Sequence, residues 1–130
     1  MACFFVRDNQ IYDELLDVEA ASINTAKGDA AVRQDTFGFY AKKAEAADEE
    51  ITFVYRCRQV QANKKIGTGE AIVSGDRLYY IVASDKVSPN YSGTPGTDYY
   101  FCGWAKEGAA VADTTVLINF DGTRHTEAGR

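Results

Sequence analysis

A chain of 130 residues suits one domain and is long enough to bury a core without disulfide or metal staples. A 45% apolar share, with eight Tyr and seven Phe against two Pro, excludes a largely disordered chain and favours strand-forming segments. The net charge of −5 repels phosphates and argues against nucleic acid as a partner.

The opening MACFFVRDNQ has too short an apolar run and no basic leader, so a signal peptide is not expected. No run nears the ~20 apolar residues that cross a bilayer, so no membrane is expected as a partner. Ala2, Cys3, Phe4, Phe5 and Val6 read as an apolar arm. Phe4 and Phe5 are adjacent, so a strand here turns only one of them inward, and the other is expected to find a partner outside the domain. Asp13 to Ala21 carries helix formers without a continuous apolar stripe, and at most a short helical turn is expected. Lys27-Gly28-Asp29 signals a turn, Ala30 to Arg33 leads to a second turn, and Thr36 to Lys42 reads as a strand interrupted by Gly38. Glu50 to Arg58 alternates: Ile51, Phe53, Tyr55 and Cys57 share one face, Thr52, Val54, Arg56 and Arg58 the other. The connection Ala62 to Glu70 is polar, and Lys64-Lys65 within it reads as a solvated turn. After Ala71 to Ser74 and a Gly75-Asp76 turn, Arg77 to Val82 is a strand apolar on both faces. Ser84 to Thr97 contains both prolines and reads as a long surface loop exposing Pro89, Asn90, Tyr91 and Pro95. Tyr99 to Trp104 and Thr114 to Phe120 are the last strands, closed by Asp121-Gly122. The tail from Thr123 is polar and is expected to add nothing to the core.

The chain repeats itself. Gly28-Asp29 recurs as Gly75-Asp76, and Phe37 to Tyr55 lies without gaps over Cys102 to Phe120, an offset of 65 residues. Gly38 then meets Gly103, Phe39 meets Trp104, and Asp48 meets Asp113. Lys42 to Glu50 is helical on propensity alone, but its counterpart Gly108 to Thr115 holds glycine, valine and paired threonines. Both segments are therefore expected to be loops between antiparallel strands.

Reactive chemistry is sparse. His125 is the sole histidine, which excludes a multi-histidine metal site and leaves no partner for a histidine-based triad elsewhere. Cys3, Cys57 and Cys102 are odd in number and widely spaced, without a CxxC pair, so buried, reduced thiols are expected rather than a disulfide framework or zinc site. No GxxxxGK[ST] phosphate loop is present. Asp48-Glu49-Glu50 reads as a solvated face, and Trp104 with Tyr79, Tyr80, Tyr99 and Tyr100 as core and subunit interface. The chain is expected to have no catalytic residues, no metal, no cofactor and no enzymatic activity.

Taken in order, Lys27-Gly28-Asp29, Phe37-Gly38, Ala44 to Ile51, Ala71 to Tyr79, Lys86-Val87, Cys102 to Ala105 and Ala109 to Phe120 resemble a family of small tailed-phage proteins. That family was long catalogued as a domain of unknown function, sometimes mislabelled as recombinases, and is now regarded as capsid decoration or cement proteins. The family pattern a-I-x-x-G-D-x-V-Y reads here as Ala71 to Tyr79, with Leu78 at the valine position. The pattern G-x-A-x-x-A-A-A-G-x-T-T-V is matched by Gly103 to Val116, with Ala112-Asp113 where glycine is commoner. In the first half Asp48-Glu49 replaces a typical Gly-Glu. The resemblance covers about residues 24 to 122, and the first 23 residues match little.

The fold expected is mainly β: a small β-barrel or β-sandwich of two pseudo-repeated halves with little helix. Residues 1–23 form an arm and lead-in, 24–122 the β domain, and 123–130 a polar tail. What the resemblance implies is a virion protein made in the host cytoplasm, a homotrimer on the outer capsid surface that holds neighbouring major capsid protein subunits together. Residues 2 to 6 would then lie against the capsid or a neighbouring subunit. The alternative from another class is a carbohydrate or host-surface binding module using the Ser84 to Thr97 loop.

Overall fold

A computed structural model describes residues 3–5, 12–17, 27–33, 36–41 and 51–125. Among these, nine strands form one curled, mainly antiparallel sheet: β1 (Phe4–Phe5), β2 (Tyr12–Asp17), β3 (Ala30–Arg33), β4 (Thr36–Tyr40), β5 (Ile51–Asn63), β6 (Arg77–Ile81), β7 (Lys86–Ser88), β8 (Tyr99–Ala105) and β9 (Thr115–Asp121). The path runs β3-β4-β5-β9-β8-β6-β7, with β1 and β2 also on β5. This agrees with the mainly β, barrel-like architecture expected from the sequence.

The long β5 is the spine. Val54 pairs with both Glu14 of β2 and Phe39 of β4, while Cys57 pairs with both Tyr12 of β2 and Phe120 of β9. A strand has two edges, so β4 and β9 share one edge in succession and β2 takes the other. β1 joins the edge of β2, because Ala62 meets Phe4 there and Val116 on the opposite side. Residues 12–17 are therefore strand, where the sequence reading expected at most a helical turn, and β1 and β2 belong to the main sheet rather than to a separate lead-in. Local helix propensity yields here to the open edge of β5, which supplies hydrogen-bond partners to any extended segment that reaches it.

Three bulges set which way the side chains face. Opposite β2, the register passes from Arg56 to Val54 and leaves Tyr55 as an extra residue. Opposite β9, the three steps from Cys57 to Val60 match two from Phe120 to Ile118. Opposite β6, Cys102 is the extra residue between Phe101 and Gly103. A bulge moves the following side chains to the other face. Thus Val54, Cys57, Val60 and Ala62 all enter the main core, whereas Phe53 packs with Tyr40 and Tyr55 in a separate cluster. The uninterrupted alternation expected for Glu50 to Arg58 is corrected accordingly: Phe53 and Cys57 do not share a face.

The repeat is real at the level of backbone pairing. Phe39↔Val54 and Tyr40↔Phe53 in the first half are matched by Trp104↔Asn119 and Ala105↔Ile118 in the second, each shifted by 65 residues. Single hydrogen bonds recur as well. Gly28 N donates to Tyr40 O (2.7 Å) as Gly75 N does to Ala105 O (2.8 Å), and Tyr40 N donates to Asp29 O (3.0 Å) as Ala105 N does to Asp76 O (2.9 Å). Ala41 N to Thr52 O (3.1 Å) likewise has its copy in Lys106 N to Leu117 O (2.9 Å). Gly38 and Gly103 are pinch points: a methyl group on either would overlap the neighbouring strand's carbonyl oxygen, that of Val54 or of its counterpart Asn119. Side-chain facing is not repeated. Phe39 lies in the main core, while Trp104 joins Tyr79, Tyr99 and Phe101 in an outer cluster. The loop expected over Lys42 to Glu50, including its Asp48, lies outside the described residues.

Two polar expectations change. Lys64 is not a solvated turn residue but is 1% exposed, and its Nζ donates to the carbonyls of Lys65 (2.7 Å), Val111 (3.3 Å) and Asp113 (3.4 Å). Three carbonyls replace the water that a buried ammonium gives up. The start of the tail also packs: after a 3-10 turn at Gly122–Arg124, the His125 ring sits 5.7 Å from Tyr100, and its carbonyl accepts from Phe101 N (3.1 Å).

Candidate functional site

The N-terminal arm divides at one peptide bond. Phe4 is 1% exposed and stands at the centre of the aromatic core, 5.0 Å from Phe39 and 5.0 Å from Phe120, so it joins the two halves of the repeat. Cys3 is buried beside it, with its carbonyl accepting from Asn63 N (2.9 Å). Phe4 N in turn donates to Gly28 O (3.3 Å). These two residues are therefore occupied inside the chain's own fold and are not free to anchor elsewhere. Phe5, 42% exposed, points outward over a shallow hollow with Gln59, Gln61 and Leu117. Ala2 and Val6 lie outside the described residues.

The loop between β7 and β8 is tied down rather than loose. Asn90 donates from its backbone to Ser88 Oγ (3.0 Å) and from Nδ2 to Gly69 O (2.7 Å), while Ser88 Oγ donates to Glu70 Oε1 (2.6 Å). Thr94 N donates to Asp98 Oδ2 (2.7 Å). Tyr91 lies with its ring 4.8 Å from Tyr99 and 5.0 Å from Tyr79 while keeping an exposed side. Pro95 bridges to Tyr99 and is exposed, and Pro89 is half-buried. Of the four loop residues expected at the surface, Asn90, Tyr91 and Pro95 are exposed. Together with Lys65, Glu70 and Asp98 the loop walls an open cleft of about 490 Å³. Its hydrogen-bonding groups are largely spent on holding the loop, and what remains toward solvent is one aromatic face beside mixed charges.

Two of the thiols, Cys3 and Cys102, are poor nucleophiles. Burial pushes Cys3 up to about 12, helped by the negative charge of Asp85, and Cys102, whose Sγ lies 3.4 Å from Leu78 O, is likewise raised well above the ordinary thiol value by burial. Both are protonated at neutral pH, and the thiolate is the reactive form. All three cysteines are buried and unbridged. Burial and a hydrogen bond to Asp85 also raise the Tyr80 hydroxyl. Lys64 was missed by sequence reasoning, and a paired lysine between a strand and a glycine turn carries no signal that one of the two goes inside. Comparison with protein-family models, with curated proteins and with solved structures found no match to this chain.

Proposed function

We propose that this protein is a head decoration or cement protein that binds the outer surface of a phage capsid as a homotrimer and strengthens contacts between major capsid protein subunits. The observation that supports it most is where the resemblance falls in the fold. Gly28-Asp29, Gly38, Gly75-Asp76 and Gly103, which carry the family pattern, take part in the repeated backbone bonds or in the pinch points between strands. The shared residues are thus those that specify this sheet. A sheet whose three thiols are buried suits a binding role, and trimeric attachment multiplies weak contacts without needing a deep pocket. Among the described residues of the arm, Phe5, the exposed half of the pair, is the one available to meet the shell. On this reading the protein has no enzymatic activity.

The test is head stability. Undecorated heads mixed with purified protein should release their contents at a temperature several degrees higher than heads alone. Equal release temperatures at saturating protein rule the reading out. The cleft beside Tyr91 favours a second reading, a carbohydrate or host-surface module, and specific binding on a glycan array, abolished by Tyr91→Ala, would establish it instead.

A further inference from the structure

The open cleft beside Tyr91, about 490 Å³, falls within the ~300–1,000 Å³ usual for small-ligand sites. Tyr91 is 42% exposed while its ring rests on Tyr99 (4.8 Å) and Tyr79 (5.0 Å), so it offers solvent an aromatic face that is already braced. Ile81 and Val82 add an apolar stretch of wall, and Val82 is itself exposed. The charged residues of the lining are Lys65, Glu70 and Asp98. Among the described residues nothing bonds to the Lys65 ammonium. Glu70 accepts from Ser88 Oγ through Oε1 (2.6 Å) and Asp98 from Thr94 N through Oδ2 (2.7 Å), so each carboxylate keeps a second oxygen for a ligand.

Two further observations bear on this cleft. Its polar groups are held before any ligand arrives. The bonds from Ser88 and Thr94 fix the two carboxylates, and Gly93, at φ +96, lets the Asp98 side chain lie against the backbone, because an added Cβ would come within 2.7 Å of Asp98 Cβ. Groups fixed in advance need not be ordered on binding. The second observation is a pair of orphaned hydroxyls. Ser84 Oγ, next in the chain to Ala83 of the wall, and Tyr99 Oη, whose ring packs on Tyr91, are both buried without a hydrogen-bond partner. Buried hydroxyls are normally bonded, and a ligand rich in hydroxyls carries partners of the kind these two lack.

We infer that this cleft binds a neutral sugar unit of a glycan, with the C–H face of the ring on Tyr91 and its hydroxyls on Lys65, Glu70 and Asp98. The inference rests on the second reading above and narrows it to one ligand class. A sugar hydroxyl both donates and accepts, so an ammonium and two carboxylates serve it together, while the aromatic ring attracts the polarised C–H groups. An acidic sugar or a phosphate meets two carboxylates against one ammonium, on a chain of net charge −5. An extended peptide needs a free strand edge, and the neighbouring edge of β7 is already bridged to Lys64, with Lys65 N donating to Val87 O (2.9 Å). The cleft shares no lining residue with the Phe5 hollow, so the capsid reading is tested separately.

The test is an array carrying neutral glycans (cellobiose, maltose, lactose, mannobiose) and acidic ones (digalacturonate, sialyllactose), followed by titration with the best neutral disaccharide under saturation-transfer NMR. Neutral glycans should be retained and acidic ones not, with a dissociation constant that added salt leaves unchanged. Tyr91→Phe keeps the ring and should bind as the parent does, whereas Tyr91→Ala should weaken binding about tenfold. Lys65→Gln removes an ammonium that holds nothing in the fold and should weaken binding about fivefold, with unchanged circular dichroism, so it decides the matter should Tyr91→Ala fail to fold. Lys86→Gln, an exposed cation of β7 outside the cleft, should have no effect. Preference for acidic glycans overturns the neutral assignment and leaves the sugar reading standing. Retention of no glycan overturns both. Full affinity for the neutral disaccharide in folded Lys65→Gln and Tyr91→Ala puts the sugar elsewhere and overturns the proposal.

Discussion

Replacing Gly103 with alanine tests the pinch between β8 and β9. Gly103 has φ +132, and an added Cβ would overlap the carbonyl oxygen of Asn119 and lie 3.0 Å from its carbonyl carbon and 3.1 Å from the amide nitrogen of Asp121. These are backbone atoms of a central strand, so relief requires moving β9, which β5 holds on its other edge. Backbone strain at such a φ costs about 1–3 kcal/mol, and overpacking adds about 1–3 kcal/mol. The sum, roughly 2–6 kcal/mol, is a large part of the ~5–15 kcal/mol that holds a typical domain together. At roughly 4 °C per kcal/mol for a chain of this size, the melting temperature followed by circular dichroism should fall by about 10–20 °C. Gly75→Ala separates the two causes: its φ is +92 but nothing lies within 4 Å of the added carbon, so it should show the smaller loss. If Gly103→Ala melts within about 3 °C of the parent, the close strand approach assigned to this position is wrong.

The arm should divide energetically as it divides structurally: Phe4→Ala is expected to cost about 3–5 kcal/mol in urea unfolding, while Phe5→Ala stays within about 0.5 kcal/mol. Equal effects would contradict the burial difference. Lys64→Met keeps much of the side-chain volume but strips three carbonyls of a donor, and should cost about 2 kcal/mol and speed amide exchange at Gly67, whose N–H donates to Val111 O; unchanged exchange would show that the ammonium does not hold the 108–114 loop. Alkali should destabilise the fold, because the buried Cys3 thiol is raised to about 12. Its contribution is fully present below the unfolded-state value near 9.0 and is lost as pH rises from there through 12. Stability flat from pH 8 to 11 in the parent, or the same decline in Cys3→Ala, would count against that.

The strands around Phe53, Leu78, Phe101 and Ile118 were legible because aromatic and β-branched residues cluster between glycine turns. The repeat was legible too, since pinch-point glycines and Gly-Asp turns leave a mark wherever backbones approach closely. The facing of side chains was not. Tyr55, Gln59 and Cys102 look like ordinary strand residues, and the bulges that use them appear only when partners far along the chain are paired. That is why Phe53 and Cys57 read as sharing one face in the sequence. β2 was misjudged for a related reason, because its strand state comes from the edge of β5 rather than from its own Glu and Leu residues. Of the proposed sites, the Tyr91 loop announced itself through its prolines and glycines. The arm was half legible: adjacent Phe4 and Phe5 implied opposite facing, but only the core packing shows that Phe4 is the one inside.

The most direct measurement is an electron-microscopy reconstruction of phage heads prepared with and without this protein. The decoration account predicts added density on the outer surface at three-fold or quasi-three-fold positions, three copies to each, with the curled sheet fitting the density and Phe5 at a contact with the shell or a neighbouring copy. Heads saturated with protein that gain no outer density, or that carry isolated monomers away from any three-fold position, would contradict it.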